Sequence, residues 1–307
     1  MKKLILLDYP CESDIKIKIN CFPDGQKSVT IEEESIPLLY KKGEFVIVCS
    51  IDSFDKLGLI RSCVSALNKH TKEYSLYAPY IMGARSDRKF ELGGDMYLDD
   101  VILPILNQCE FKKIYALDFH CDRSNIYSIK NDKYFDFNDK DVDTVFVFPD
   151  KSAFNRYKNI LHTNVCFLNG NVKLHNHAYC EKTRNNDGSI TQNIVTNNDI
   201  SKFKKYIIID DLFDGGRSYI GLIEKILEEN SDANIKIYTT HMIGSNKDSL
   251  IRLLCLGIEL ITTNSYTPFM YKYINVRTYE SNMLPNVKMI DILFNKENIN
   301  KILENCI

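Results

Sequence analysis

The amino-acid sequence predicts an α/β protein with two domains, each a mostly parallel β-sheet flanked by helices. Its 307 residues suffice for two domains, and 44% hydrophobic residues can supply their buried cores. Apolar strand-like runs alternate with helix-like segments, as in βαβ units, where helices join parallel strands. We expect an N-terminal domain at 1–139 and a C-terminal domain at 140–307, with the last helix able to pack back on the first domain.

Seven runs rich in β-branched or aromatic residues are interpreted as buried strands. They cover residues 44–51, 74–81, 113–119, 144–149, 206–210, 235–240 and 258–263. Five segments with helical spacing lie between them, at 55–69, 95–109, 151–161, 217–229 and 246–256. In the fourth, Ile220, Ile223 and Leu227 share one face, which predicts an amphipathic helix. The polar stretch at 125–141 predicts a domain junction. The longer one at 175–205 predicts either a mobile functional loop or a dispensable insertion.

Charge and cysteine content exclude several classes of protein. With 39 basic and 41 acidic residues, the chain has no global positive field to hold nucleic acid or an anionic membrane. The ten cysteines include no C-x-x-C pair, which favours reduced thiols. The first apolar run ends at Asp8, too short for a signal peptide, and no later run approaches the roughly 20 residues of a membrane span. We therefore expect a cytoplasmic protein.

The most informative stretch is YIIIDDLFDGGRSYIGLIEKIL, residues 206–227. An apolar strand runs into Asp210 and Asp211, and a glycine turn then leads into a helix that Ser218 can cap. Carboxylates at the carboxyl end of a parallel strand can accept sugar hydroxyls, while a glycine turn before a helix suits a phosphate. An ordinary βα turn also uses Asp and Gly. However, two adjacent carboxylates after a buried strand are costly without a ligand or partner, which favours a sugar-phosphate site.

This stretch resembles the type I phosphoribosyltransferase family, in which an apolar strand, two acidic residues and a Gly/Thr turn bind a phosphoribosyl group. The resemblance implies that ribose 5-phosphate is bound by Asp210, Asp211, Asp214, Gly215, Gly216, Arg217 and Ser218. The family commonly has Thr where this chain has Gly215, so one hydroxyl is lost from the predicted phosphate loop, whereas Ser218 supplies the terminal one.

Two motifs in the N-terminal half suit a nucleotide. CFPDGQ (21–26) contains the tight-turn signature Pro-Asp-Gly, and an exposed Phe22 beside it offers a flat face to a purine. A plain hairpin with a core Phe is the alternative. YAPYIMGARSDRKF (77–90) sets Arg85 and Arg88 around Asp87, so that two guanidinium groups can converge on a triphosphate. The spacing of these charged residues alone would also be consistent with an ordinary solvent-exposed segment.

Two further motifs suit, in turn, a divalent metal ion and the stabilisation of a negatively charged group during its transfer. In IYALDFHCD (114–122), Asp118 and His120 at i, i+2 should point to one side of a strand end, where a divalent cation can bind. Asp150 follows another strand. In CEKTRNNDG (180–188), Lys182 and Arg184 place two cations inside the long polar stretch, where an ordinary solvated loop is the alternative.

The five motifs resemble, in order and approximate spacing, those of the ribose-phosphate pyrophosphokinase family. The resemblance implies ATP binding by Phe22, Asp24, Gln26, Arg85, Ser86, Asp87, Arg88 and His120. It also implies Mg²⁺ at His120, with Asp150 either as a second ligand or as a contact to the ribose, and catalysis by Lys182 and Arg184. Gln26, Ser86 and Thr183 replace the family's usual Glu, Gln and Arg, which marks a divergent member.

The activity implied by this resemblance is transfer of a pyrophosphoryl group from ATP to C1 of ribose 5-phosphate. Its implied assembly is a homo-oligomer, a dimer or a hexamer of dimers. Two alternatives stay open. A phosphoribosyltransferase would consume phosphoribosyl pyrophosphate and would not need the N-terminal nucleotide motifs. A noncatalytic regulatory relative would be consistent with the four substituted positions.

Overall fold

Two large β-sheets organise the chain, and each forms the centre of its own compact unit. They are seen in a computed structural model that describes residues 2–7, 9, 12–89, 92–135, 137, 143–163, 165–168, 171–174, 176–184, 190–196, 199–269, 286–293 and 295–304. The first unit comprises Met1–Lys133, Ser265–Thr267 and Asp291–Ile307, and the second comprises Tyr134–Asn264 and Pro268–Ile290.

Strands and helices alternate along most of the described chain. The strands are β1 (Lys3–Leu6), β2 (Ile17–Cys21), β3 (Lys27–Ile31), β4 (Phe45–Val48), β5 (Tyr74–Tyr77), β6 (Ile114–Leu117), β7 (Ile126–Ile129), β8 (Thr144–Phe148), β9 (Val165–Leu168), β10 (Asn171–Leu174), β11 (Asn176–Arg184), β12 (Ile190–Thr196), β13 (Lys205–Phe213), β14 (Asn234–Met242), β15 (Glu259–Thr263) and β16 (Val287–Ile290). The helices are α1 (Ile36–Leu39), α2 (Phe54–Leu67), α3 (Leu103–Asn107), α4 (Lys151–Tyr157), α5 (Ile160–Thr163), α6 (Arg217–Glu229), α7 (Lys247–Cys255) and α8 (Lys296–Glu304). A π-helical turn, Leu98–Ile102, leads into α3.

The sheet of the first unit is parallel throughout, with strand order β1-β4-β5-β6-β7. Its inner strands, such as Phe45–Val48, are fully buried, which explains why their sequences are continuously apolar and do not alternate. Helix α2 buries Leu57, Ile60 and Leu67 in the same core. Strands β2 and β3 form a separate hairpin. Helix α8 belongs to this unit.

The sheet of the second unit has strand order β12-β11-β8-β13-β14-β15-β16, and only β12 is antiparallel to its neighbour in the pairings described. From β8 the chain runs outward to β11 and β12, and it then returns to β13 on the other side of β8. The direction of winding therefore reverses between β8 and β13. In open α/β sheets, such a switch point leaves a crevice at the carboxyl ends of the strands.

Helices α4 and α6 cover opposite faces of this second sheet. Side chains of β13 alternate between the faces, and Ile207 and Ile209 pack in one apolar cluster with Tyr157 of α4. Asp211 lies on the same face as Ile207 and Ile209, whereas Asp210 lies on the other face, where it contacts Tyr219 of α6. The crevice is thus flanked by the starts of two helices.

The predicted α/β fold, with mostly parallel sheets flanked by helices, is confirmed. Two local expectations differ from the structure. Strands β11 and β12 occupy much of the polar stretch at 175–205, so it is not simply a loop. The buried face of α6 consists of Tyr219, Leu222, Ile223 and Ile226, whereas Ile220 and Leu227 are only partly buried. No helix in the described part of the chain is long and apolar enough to cross a membrane.

Candidate functional site

Strand β13 carries the two adjacent carboxylates past the end of its neighbour β8. The pairing with β8 involves Lys205–Ile208, after which β13 continues beside β14 as far as Phe213. Asp210 and Asp211 therefore lie within a strand and not in the turn after it, at the edge where β8 has already ended. This position is the switch point of the second sheet.

Asp211 is held in a buried ion pair. One of its oxygens, Oδ2, lies 2.8 Å from Nη1 of Arg156 on α4, and the two side chains are only 7% and 14% exposed. Since burial of a carboxylate is costly without a partner, the charge of Arg156 offsets the cost of burying Asp211.

Asp210 is more accessible than Asp211 and has different partners. Its Oδ1 accepts the backbone N–H of Asp211 at 2.9 Å, and its Oδ2 accepts the hydroxyl of Tyr219 at 3.2 Å. Burial, followed by the neighbouring charge of Asp211, raises the pKa of Asp210 well above its usual range. Burial also raises the pKa of Tyr219, so its phenol stays protonated and can donate.

The glycine turn after β13 ends directly at a helix. Gly216 has φ +76° and precedes the first residue of α6, and no side chain caps that helix start. A Cβ atom at Gly216 would come within 3.1 Å of both Phe213 Cζ and Ser249 Cβ, so the position requires glycine. The expected cap at Ser218 is wrong, because Ser218 already lies inside α6. The amide groups at this helix start suit an anion.

The remaining members of the predicted phosphate loop differ in exposure. Asp214 and Arg217 are exposed, and Gly215 and Ser218 are half-buried. Gly215 is also close to the turn after β14, because a Cβ on it would lie 3.9 Å from Ser245 Oγ. The loop therefore borders a second turn at the same edge of the sheet.

Asp150 lies on the other side of the switch point, directly after β8. Its Oδ1 accepts the backbone N–H of Ala153 at 2.9 Å, so Asp150 caps helix α4. Its charge also contributes to the raised pKa of Asp210, after burial and Asp211. The switch point thus brings two other carboxylates, Asp150 and Asp211, into electrostatic range of Asp210.

The two predicted catalytic cations lie near the end of β11, next to β8 in the sheet. In the antiparallel pairing with β12, Lys182 is opposite Gln192 and Arg184 is opposite Ile190. The side chains of Lys182 and Arg184 lie outside the described part of the structure, as do residues 185–189 that connect the two strands.

In the first unit, the Phe22 turn has the predicted hairpin form. Gly25 has φ +87°, the N–H of Phe22 donates to Gln26 O at 2.8 Å, and the N–H of Gln26 donates to Asp24 Oδ1 at 3.0 Å. Phe22 is 48% exposed, which rejects the alternative of a core Phe. The turn therefore presents an aromatic face on the surface of the hairpin.

The segments containing Arg85–Arg88 and His120 lie together after the neighbouring strands β5 and β6. The thiol of Cys121 contacts the carbonyl of Ala84, with a sulfur–oxygen distance of 3.7 Å. Burial raises the pKa of Cys121 to about 11, and the charge of Asp87 acts in the same direction. Arg85 and Arg88 are exposed, and Ser86, Asp87 and His120 are half-buried.

The expectation that Asp118 and His120 share one side of a strand is wrong. Strand β6 ends at Leu117, and Asp118 has φ +40°, which interrupts the alternation of side chains. Asp118 is buried, whereas His120 is partly exposed. The chain turns at this point, so His120 belongs to a loop.

A bidentate ion pair ties the His120 loop to the π-helical turn. Arg123 Nε and Nη2 donate to Asp99 Oδ1 and Oδ2, each at 2.7 Å. This hydrogen bonding holds the pKa of Asp99 below its usual range. The same turn contacts the arginine segment, since the N–H of Leu98 donates to Ser86 O at 3.3 Å. Two loops of the first unit are thereby fixed to one helical element.

The residues predicted to hold Mg²⁺ do not form a closed metal site. Among the described residues, no group of three or more His, Cys, Asp or Glu side chains is placed to hold an ion. Mg²⁺ bound with a nucleotide, however, keeps several waters and takes only one or two protein carboxylates besides the phosphates. Asp87 beside the His120 loop fits such a water-rich site.

Comparison with known proteins identifies the fold. Phosphoribosylpyrophosphate synthetase from Mycobacterium smegmatis superposes with a TM-score of 0.70 over 99% of this chain and 99% of that chain, at 18% sequence identity. The chain has the synthetase fold. No protein-family sequence profile matches the chain, and no curated protein matches it by sequence. At 18% identity, the likeness to the synthetase establishes the fold alone.

The site includes two residues that the sequence motifs did not identify. Arg156 lies six residues after Asp150 and far from Asp211 in the chain, so nothing in the sequence signals its pairing with Asp211. Tyr219 could have been found, because it shares the i, i+3, i+4, i+7 spacing of Leu222, Ile223 and Ile226.

Proposed function

We propose that the chain is a Mg²⁺-dependent ribose-phosphate pyrophosphokinase that converts ATP and ribose 5-phosphate into phosphoribosyl pyrophosphate and AMP. The observation that carries the proposal is the switch point of the second sheet, where Asp210 lies beside a glycine turn and a helix start with no side-chain cap. A sugar phosphate suits this arrangement. The similar synthetase from Mycobacterium smegmatis is named for the same product, which adds support.

Ribose 5-phosphate is proposed to bind in the second unit. The carboxylates accept sugar hydroxyls, with Asp210 more accessible than Asp211. The phosphate is bound by the amide groups of the loop Asp214–Ser218 and by the positive end of α6. Exposed Arg217 supplies a charge at the same loop, where Gly215 provides no hydroxyl.

ATP is proposed to bind to segments of the first unit. The exposed ring of Phe22 stacks on the purine, with Asp24 and Gln26 in the same turn. The triphosphate interacts with Arg85 and Arg88, and backbone hydrogen bonds of Ser86 shape the loop that contains them and Asp87. His120, in the neighbouring loop, would help to hold Mg²⁺, and the ion would supply neutralising charge on the phosphates.

The proposed reaction is an in-line displacement. A bond forms between the anomeric oxygen and the β-phosphorus, the bond from the β-phosphorus to the α,β-bridging oxygen breaks, AMP leaves, and the hydroxyl proton passes to solvent. Phosphoryl-type transfer depends chiefly on positioning and on neutralising charge. We assign Lys182 and Arg184 of the β11–β12 hairpin to the leaving and bridging oxygens.

The proposal is tested by incubating the purified protein with Mg²⁺, ATP and ribose 5-phosphate and measuring AMP. We expect AMP to form only when the sugar is present. Release of pyrophosphate from added phosphoribosyl pyrophosphate and a base, without AMP formation, would instead indicate a phosphoribosyltransferase. No product in either reaction would indicate a noncatalytic relative.

A further inference from the structure

Tyr219 connects the acidic strand end to the start of helix α6. Its ring is 4% exposed and lies 4.9 Å, between ring centroids, from Phe213 at the end of β13. Its single hydroxyl hydrogen is shared between two acceptors, Asp210 Oδ2 at 3.2 Å and the carbonyl oxygen of Leu212 at 3.1 Å, and the hydroxyl also interacts with that of Thr239. A buried phenol of this kind fixes whatever carboxylate it donates to.

The two carboxylates of β13 are not equivalent for a ligand. Asp211 is 5% exposed, and its Oδ2 is engaged by Arg156 on the α4 face. Asp210 is more exposed; its Oδ1 accepts the Asp211 N–H, its Oδ2 accepts from the Tyr219 hydroxyl, and its carboxyl group also interacts with that of Asp211. A carboxylate oxygen can accept two hydrogen bonds, so Oδ2 can accept a sugar hydroxyl beside Tyr219.

We propose that Asp210 is the carboxylate that receives the sugar hydroxyls and that Tyr219 is its positioning residue. The inference rests on the proposed binding of ribose 5-phosphate at this strand end. Tyr219 acts by holding Asp210 Oδ2 at a fixed place relative to α6, whose start faces the phosphate. The distance between the hydroxyl acceptor and the phosphate loop is thereby set by one side chain.

The electrostatic surroundings explain why Asp210 needs this donor. Besides Tyr219, the charged or titratable groups near it are Asp211 on its own strand, Asp150 at the start of α4, and His241, which the strand register puts on the same face of β14. Burial and the two carboxylates favour the protonated form of Asp210. A hydrogen bond from Tyr219 to the carboxylate opposes them and favours the ionised form, in which both oxygens accept hydrogen bonds.

The test compares Tyr219→Phe with Tyr206→Phe. Tyr206 is a matched control, because it is also buried in the second unit and its hydroxyl donates to the carbonyl of Ile200 at 2.5 Å, away from the acidic pair. Both variants lose one buried hydroxyl, so a general loss of stability affects both. Calorimetric titration with ribose 5-phosphate measures sugar binding, and ¹³C NMR, with Asp210→Asn for assignment, measures the pKa of the Asp210 carboxyl.

We expect Tyr219→Phe to weaken ribose 5-phosphate binding about tenfold, since a hydrogen bond to a charged group is lost. The pKa of Asp210 should rise, the acidic limb of the pH–rate profile should move to higher pH, and the KM for ATP should not change. Tyr206→Phe should match the wild type in sugar affinity, in the pKa of Asp210, in the acidic limb of the pH–rate profile and in the KM for ATP. Equal sugar affinity and equal Asp210 pKa in the two variants would overturn the role of Tyr219.

The two readouts separate this inference from the proposed function. If the wild type binds ribose 5-phosphate but forms no AMP, the proposed reaction fails while the binding comparison still decides the role of Tyr219. If the wild type does not bind the sugar phosphate, the assignment of Asp210 as its acceptor fails together with the proposed function. An unchanged Asp210 pKa in Tyr219→Phe would contradict the positioning role in every case.

Discussion

At the scale of single residues, the adjacent aspartates Asp210 and Asp211 have different partners at the carboxyl end of β13. The strand points them to opposite faces, so one meets Arg156 of α4 and the other meets Tyr219 of α6. A buried ion pair is weak evidence for stability, because desolvation offsets the attraction, but removing one partner leaves a buried charge alone. We therefore expect Asp211 to contribute mainly to the fold, and we propose Asp210 as the main acceptor for the sugar.

Asp211→Asn should lower the free energy of unfolding by about 3–5 kcal/mol, because it removes a charged partner from the buried guanidinium of Arg156. Urea denaturation monitored by circular dichroism measures this. Glu34→Gln provides the control, because its ion pair with Lys16 is exposed, and its midpoint should stay near that of the wild type.

Replacing the pair by apolar residues, Arg156→Met with Asp211→Leu, should recover most of that loss, since no charge then remains buried. An Asp211→Asn variant as stable as the wild type would show that the pair is not buried in solution.

At the scale of elements, the turn between β13 and α6 depends on Gly216. An alanine there would have to adopt a left-handed backbone and push against Phe213 and Ser249. We expect Gly216→Ala to cost about 1–3 kcal/mol of stability and to weaken ribose 5-phosphate binding.

Gly58→Ala is the matched control for Gly216→Ala. Gly58 lies in helix α2, and an added Cβ would have no neighbouring atom within 4 Å, so alanine should stabilise the protein by roughly 0.5–1 kcal/mol. Melting temperatures of the two variants should therefore move in opposite directions. A shift in the same direction for both would contradict the left-handed turn.

The β11–β12 hairpin is the element assigned to charge stabilisation during transfer. Lys182→Ala should reduce kcat by at least about a hundredfold while the KM for ATP stays close to that of the wild type, because the charge is needed in the transition state. Gln192→Ala changes the residue opposite Lys182 in the same hairpin and serves as the control. Unchanged turnover in Lys182→Ala would remove the hairpin from the mechanism.

The elements also show what sequence patterns could predict. Continuous apolar runs such as Phe45–Val48 and Thr144–Phe148 are buried on both faces, and their strands were predicted directly. The carboxyl end of β13 could not be predicted in this way, because Asp210 and Asp211 interrupt the apolar run. Their burial depends on Arg156 and Tyr219, which lie on two different helices. The sequence pattern does not predict the hairpin at 176–196, because its polar composition is typical of a loop.

Within the candidate site, local motifs were easier to predict than their surroundings. The Phe22 turn follows from Pro-Asp-Gly and needs only residues 22–26. The position of His120 depends on the left-handed backbone at Asp118, which no spacing rule indicates. Contacts between distant segments, such as Asp99 with Arg123, depend on how α3 and the sheet pack, and a single sequence does not encode that in a short pattern.

At the scale of the whole molecule, the chain contains two mostly parallel sheets with their own cores, and a synthetase with 18% identical residues shares this fold across 99% of both chains. The fold tolerates wide change in sequence because hydrophobic pattern and strand order determine it. Function depends on few residues, so we expect substitutions such as Gln26, Ser86, Thr183 and Gly215 to affect activity more than architecture.

The most direct test of the proposed pyrophosphoryl transfer is ³¹P NMR of Mg²⁺-ATP and ribose 5-phosphate incubated with the protein. We expect the β- and γ-phosphorus signals of ATP to be replaced by two mutually coupled signals of a diphosphate ester on the sugar, while the α-phosphorus becomes that of AMP. Appearance of ADP with inorganic phosphate, or an unchanged ATP spectrum, would contradict the proposed transfer.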